Sequence, residues 1–170
     1  MTTIPVKRLH VMQKERYAES KQTMGKIQLD ELNKFGKYFS VPRGGSMWPM
    51  LFNNKAGIVE IHKLEHPAKR YDVVLYIRGE EQGIIHRVLR VRENDYMIAG
   101  DNCWNKEAVP KEKVVGIVTR FYRKGKWYEV TDKRYLFYAH LWTDLFFVRR
   151  PVIYLRERIK YLRRESCRAR

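Results

Sequence analysis

The chain has few cysteines and no long hydrophobic run. Only Cys103 and Cys167 are cysteine among its 170 residues, too few for the disulfide framework of a small secreted protein. No stretch approaches the roughly 18 apolar residues that a membrane-spanning helix needs. Residues 1–8 lack the apolar segment of a secretory signal, and no His, Cys, Asp and Glu cluster has metal-ligand spacing. We therefore expect a cytoplasmic protein without a metal or other cofactor.

Acidic residues are also scarce. The sequence has 35 Lys and Arg against 19 Asp and Glu, a formal net charge of +16, and much of the excess lies in residues 149–170. Such a chain attracts polyanions, although a solvated surface explains the charge equally well. No helix-turn-helix pattern precedes residue 46, so we do not expect nucleic acid as the partner. The oligomeric state stays open.

Composition divides the chain into three parts. Residues 1–24 are polar and basic without a clear period, which predicts poor order. Residues 25–130 form the main domain, and residues 131–170 form a basic, aromatic extension. Within the main domain, residues 26–39 predict an amphipathic helix, because Leu32, Phe35 and Phe39 follow helical spacing.

The rest of the main domain is β in pattern. Short apolar runs bounded by turn residues occur at 56–61, 73–77, 83–91, 96–99 and 114–121. A hairpin turn at 123–126 leads into a last strand. Many strands joined by short turns predict a mainly β (α+β) fold, with a coiled antiparallel sheet, barrel or sandwich.

The sequence of the extension predicts two helices. Residues 135–148 are aromatic and helical in length, and Pro151 is expected to end or bend this helix. A basic amphipathic helix follows it. Two uses remain open for residues 135–164: packing on the core or on an oligomer interface, or peripheral contact with the inner face of a membrane.

In the segment Gly44-Gly45-Ser46-Met47-Trp48-Pro49, the serine hydroxyl follows two flexible glycines and precedes a rigid proline. A nucleophilic serine needs such a fixed position with a base nearby. His86 is the candidate base, since strand alternation puts it on an inner or half-buried face with Val88, opposite Arg87. Cys103 is a disfavoured alternative nucleophile, because lone cysteines usually serve packing.

In their order along the chain, these segments resemble the signal peptidase I and LexA-like serine peptidase superfamily. Ser46-Met47-x-Pro49 resembles its nucleophile box, His86-Arg87-Val88 its general-base box in the histidine-type signal peptidases, and Gly100-Asp101-Asn102 its last box. The likeness covers about residues 38–130. It implies a coiled β fold of this type and a peptide or protein substrate bound in extended form, with small side chains near the cut.

The resemblance assigns roles to individual residues. Ser46 is the expected nucleophile and His86 its base, and Asp101 orients the imidazole unless Glu107 does so. The family often has serine two residues before the nucleophile; Gly44 stands there, so backbone N–H groups at Gly45 and Ser46 would have to bind the oxyanion. Other groove candidates are Gly44, Met47 and Trp48.

Two other functions fit the same segments. A self-cleaving LexA-like repressor is disfavoured, because its base is lysine and only 45 residues precede Ser46. The main alternative is a catalytically inert, protease-like binding module. Such a module would use its basic C-terminal helices to contact a membrane, a peptide-modifying partner or nucleic acid.

Overall fold

The computed structural model describes residues 29–51, 57–79 and 82–168, with side chains in the last range described as far as residue 162. The strands are β1 (Lys37–Ser40), β2 (Ile58–Lys63), β3 (Val73–Arg78), β4 (Gln82–Val91), β5 (Asp95–Ala99), β6 (Glu107–Pro110), β7 (Val114–Arg123) and β8 (Lys126–Glu129). The helices are α1 (29–35 in its described part), α2 (Lys133–Asp144) and α3 (Phe146–Arg168).

All eight strands belong to one antiparallel sheet. Its order is β1-β2-β7-β3-β4-β5-β6, and β8 pairs with β7. The register shifts within the pairs β2–β7, β3–β7 and β4–β5, and such bulges bend strands and increase their twist. The sheet curls into a half-barrel, which confirms the predicted mainly β, α+β fold with a coiled antiparallel sheet.

Both faces of β3 are buried. Val73 and Leu75 face one hydrophobic cluster, and Val74 and Tyr76 face a second, because successive residues of a strand point to opposite sides. The first cluster includes Leu32, Met47, Met50, Val118, Phe121, Tyr135 and Ala139. A strand covered on both sides reads as a continuous apolar run, as this segment does.

The predicted helix over residues 26–39 is wrong at its carboxyl end. The helix ends before Gly36, whose φ of 70° is readily adopted only by residues such as glycine. The chain then enters β1, which contains Phe39. Leu32 is therefore buried in the core, whereas Phe35 and Phe39 are exposed.

The extension also breaks at a different residue from the one predicted. Helix α2 ends at Asp144, and Pro151 lies inside α3 rather than at a helix end. Helix α2 packs Tyr135 and Ala139 into the first core cluster, so this part of the extension belongs to the domain's core.

Local turn chemistry was predicted correctly. Lys124 and Gly125 have φ values of 49° and 81° between β7 and β8, as a two-residue hairpin of the primed type requires. Residues 1–24, for which poor order was predicted, lie outside the described residues. Within the described part of the chain, no helix is both long and apolar enough to cross a membrane.

Candidate active site

Ser46 lies in a turn that begins shortly after β1. Two hydrogen bonds from one residue hold this turn: the Asn102 backbone N–H donates to the Ser46 carbonyl oxygen at 2.7 Å, and the Asn102 amide Nδ2 donates to the Gly45 carbonyl oxygen at 2.9 Å. Asn102 Oδ1 in turn accepts a hydrogen bond from Arg156 of α3. The position of the candidate nucleophile therefore depends on the segment that follows β5.

The same turn borders a cleft of about 420 Å³. Segment 40–47 and residues 82–86 of β4 both line it. Its lining includes Gly44, Gly45, Ser46, Met47, Arg78, His86 and Cys103. Met47 is also buried in the first core cluster. Trp48 is 43% exposed and does not line the cleft.

Ser46 and His86 approach each other around Gly100. In the β4–β5 register Arg87 pairs with Ala99, so His86 and Gly100 are the next positions along the two strands. A Cβ atom at Gly100 would lie 3.1 Å from His86 Nε2, 2.6 Å from the Ser46 carbonyl oxygen and 2.7 Å from Cys103 Sγ. Glycine thus leaves the space in which Nε2 and the Ser46 main chain come together.

The Ser46 hydroxyl makes no hydrogen bond to His86 within the described ranges. Hydrogen bonds between a nucleophile and its base are often long without substrate and tighten when it binds. The backbone N–H groups of Gly45 and Ser46 likewise donate to no other described residue. Both residues line the cleft.

A hydrogen-bond network holds the other nitrogen of His86. Tyr76 Oη lies 3.3 Å from His86 Nδ1 and donates its proton to Glu107 Oε2 at 2.8 Å. Arg78 Nη2 donates to Tyr76 Oη at 3.0 Å and also pairs with Glu107. Because the single Tyr76 proton is directed to Glu107, His86 Nδ1 must be the donor to Tyr76. This tautomer leaves the lone pair on Nε2, which can then accept a proton.

The surroundings of His86 keep its ring neutral. The pKa of His86 is lowered to about 4, mainly because the ring is buried and also because the Arg78 guanidinium lies near, while the Glu107 and Asp101 carboxylates partly oppose the change. At neutral pH the imidazole can therefore accept a proton. Cys103 differs, because burial raises the pKa of its thiol and so reduces the nucleophilic thiolate form.

Asp101 is not brought to His86. Its two carboxylate oxygens accept hydrogen bonds from Arg87 Nε and Nη2, each at 2.8 Å, and Tyr138 Oη of α2 donates to the same group. No hydrogen bond joins Asp101 to His86 in the described part of the chain. The reason is strand alternation, because Arg87 and His86 point to opposite sides of β4.

Glu107, the second candidate for orienting His86, reaches the ring through Tyr76. Sequence reasoning missed Tyr76, Arg78 and Asn102. The sequence does contain a signal for Tyr76 and Arg78, because they alternate with Val74 on one face of β3. Val74 is the register partner of His86, so this face of β3 lies beside His86. The role of Asn102 depends on a contact 57 residues away along the chain, for which no local signal exists.

Among the described residues, no group of three His, Cys, Asp or Glu side chains is arranged to hold a metal ion. The site is a cleft lined by the Ser46 hydroxyl, the neutral His86 imidazole and the main chain of Gly45 and Ser46, with Ser40 as a second serine in the lining. In comparisons with known proteins, no family model, no curated protein and no solved structure matches this chain.

Proposed function

We propose that this protein is a serine endopeptidase that resembles the signal peptidase I and LexA-like class, with Ser46 as nucleophile and His86 as general base. The observation that carries the proposal is the convergence of His86 Nε2 and the Ser46 main chain around Gly100, in a cleft that both residues line. The hydrogen bond between Nδ1 and Tyr76 leaves Nε2 as the acceptor.

The reaction would proceed by acyl transfer. The Ser46 hydroxyl oxygen attacks the scissile carbonyl carbon while His86 Nε2 takes its proton, and the backbone N–H groups of Gly45 and Ser46 stabilise the oxyanion. The C–N bond then breaks as His86 returns the proton to the leaving amine. Water, deprotonated by His86, hydrolyses the acyl-enzyme and restores the serine.

The strand edge beside the cleft suits an extended peptide. Residues 82–86 of β4 pair with β3 on one side, whereas pairing with β5 begins only at Arg87. Among the described strands, the other edge of 82–86 has no partner, and these residues line the cleft. A substrate that adds as a further strand would satisfy these backbone groups and pass in front of Ser46.

In this mechanism Tyr76 and Glu107 are positioning residues. Tyr76 holds the proton on His86 Nδ1, and Glu107 accepts the Tyr76 proton. Their combined effect corresponds to that of the carboxylate in a Ser-His-Asp triad, which selects the imidazole tautomer and orients the ring. Asp101 makes no hydrogen bond to His86 among the described residues; it supports the fold around the site and acts on the ring only through its charge.

The test is cleavage of a defined library of 14-residue peptides, with new termini identified by mass spectrometry. The variants are Ser46→Ala and His86→Ala, and the control is Ser166→Ala, which changes a serine on α3. We expect cleavage by the native chain and the control, and a loss of at least about 10³-fold in both site variants. Circular dichroism spectra establish that all variants are folded.

Two outcomes would contradict the proposal. Undiminished cleavage by Ser46→Ala would exclude Ser46 as the nucleophile. The missing hydrogen bond between Ser46 and His86 favours one alternative function, an inert binding module with a protease-like fold. A folded native chain that neither cleaves any library peptide nor is acylated at Ser46 by a fluorophosphonate probe would support that alternative and overturn the peptidase assignment.

A further inference from the structure

Helix α3 has apolar side chains on the side that faces away from the domain. Phe146 and Ile153 are 7% exposed and attach the helix to the body. Four other apolar residues follow spacings of four and three on another face, and all are between 42% and 67% exposed: Val148, Val152, Leu155 and Ile159. We call these four residues the α3 apolar stripe.

The exposed apolar surface is wider than this stripe. Phe147 is 72% exposed and Tyr154 is 48% exposed; they lie seven residues apart along one flank of the stripe. At 100° per residue, the arc from Tyr154 to Val152 covers about 160° of the helix. Pairing with one partner helix needs only a narrow seam, so this width favours a flat, extended partner surface.

The charge of the helix indicates what kind of surface that is. Helix α3 contains eight Lys and Arg residues and two Glu residues. Arg158 lies within the arc, between the aromatic flank and the stripe, and Arg150 borders the aromatic flank on its other side. A second copy of α3 would bring like charges together, which is unfavourable. An anionic bilayer complements both the apolar arc and the basic flanks.

We propose that α3 lies in the plane of an anionic phospholipid bilayer, with the α3 apolar stripe inserted at the level of the headgroups. The inference does not depend on the chemistry at Ser46. A second cavity of about 390 Å³ opens beside Phe147 and Tyr154 and is also lined by Trp104. The neighbours of Trp104, Cys103 and Asn105, line the cleft, so bilayer contact would bring the cleft close to the membrane surface.

The test is flotation of the full chain with vesicles of phosphatidylcholine alone or with about one-third phosphatidylglycerol. We expect binding to the mixed vesicles that is at least about tenfold tighter than to the neutral ones and weakens in high salt. The double variant Leu155→Asn/Ile159→Asn should lose at least about tenfold in affinity for the mixed vesicles, because it removes two membrane-buried side chains.

The matched control is Phe35→Asn/Val91→Asn, which replaces two apolar residues of similar exposure, 58% and 40%, on α1 and β4. It should bind vesicles like the native chain, as should Ser46→Ala. Equal binding by the α3 variant and the native chain would reduce the effect to charge alone and overturn the proposal. A dimer that forms without lipid and that the α3 substitutions dissociate would also overturn the proposal, since it would assign the stripe to a second copy.

Discussion

The Arg87 guanidinium and the Asp101 carboxylate form an ion pair with two hydrogen bonds in the interior of the protein. Both bonds measure 2.8 Å, and neither side chain is exposed to solvent. Arg87 Nη1 also donates to the Tyr71 carbonyl oxygen and to Tyr135 Oη. This pair joins β4, the segment after β5, and α2, and it leaves Asp101 with a structural role.

Removing one charge of this pair should destabilise the fold. We expect Asp101→Asn to lower the free energy of unfolding by about 3 kcal/mol, since it leaves the Arg87 charge buried without compensation. The control is Glu107→Gln, whose ion pair with Arg78 is partly exposed and should contribute about 1 kcal/mol or less. Urea denaturation measures both values; an Asp101→Asn chain as stable as the native one would contradict the structural role.

Tyr76→Phe should impair His86 without unfolding the chain. It removes the hydroxyl that accepts the His86 Nδ1 proton, so the ring loses its preferred tautomer. We expect kcat/KM to fall about 10²-fold, near the lower end of what a positioned base contributes, with KM little changed. The ring ¹⁵N shifts of His86 should report the mixed tautomer even without a substrate.

The matched control is Tyr96→Phe, which removes a hydroxyl that binds the Ala68 N–H in the same core cluster. It should change stability but not the His86 tautomer. If Tyr76→Phe left both the ¹⁵N shifts and kcat/KM at native values, the hydrogen bond between Tyr76 and His86 would have no positioning role.

The low pKa of His86 should make stability depend on pH. The unfolded chain binds this proton near pH 6.5, and the folded chain binds it only near pH 4. The contribution of the neutral His86 ring to stability is therefore fully present above pH 6.5 and is lost as the pH falls through 4. Between pH 7 and 4, the free energy of unfolding of the native chain should fall by up to about 3 kcal/mol more than that of His86→Gln. Denaturation at each pH measures both values, and equal decreases would contradict this prediction.

Arg78→Gln should raise the pKa of His86 towards its ordinary value. The substitution removes a cation that opposes protonation and leaves the Glu107 carboxylate unpaired near the ring. An NMR titration of the His86 ring measures the shift, and the acid limb of kcat/KM should move to higher pH with it. Arg70→Gln, which breaks an exposed pair with Asp144, should leave the titration unchanged.

Gly100→Ala should disrupt the site directly. Its Cβ would meet the Ser46 carbonyl oxygen at 2.6 Å, a backbone atom that can move only with the turn that contains Ser46. We expect loss of peptide cleavage and a destabilisation of about 1–3 kcal/mol. The control is Gly116→Ala in β7, whose Cβ would lie equally close to another atom, Ile61 Cγ2 at 2.6 Å. This variant should lose stability and retain a native His86 ring spectrum. Native cleavage by Gly100→Ala would show that the approach at Gly100 is not needed.

Much of the fold followed from local patterns. Alternating and continuous apolar runs predicted the strands, and the residues at 124–125 predicted the hairpin between β7 and β8. The same alternation correctly put His86 and Arg87 on opposite sides of β4. The helix over 26–39 failed because periodicity extended past Gly36, where the backbone leaves the helical region and Phe39 enters β1.

The partners of the site residues could not be predicted in the same way. The family resemblance suggested that Asp101 would orient His86, but the register of β4 with β5 and the packing of α2 direct Asp101 to Arg87. Tyr76 reaches His86 because β3 pairs with β4, and it reaches Glu107 across 31 residues of chain.

The sequence by itself determined the strand pattern, the turn with its serine, and the face of β4 on which His86 lies, because these depend on residues close together in the chain. Only the tertiary structure decided that Asp101 pairs with Arg87, that Tyr76 and Glu107 hold His86, and that Asn102 holds the turn at Ser46. The physical reason is that a hydrogen-bond partner depends on strand register and helix packing, which are set by the burial of the whole core rather than by any local segment.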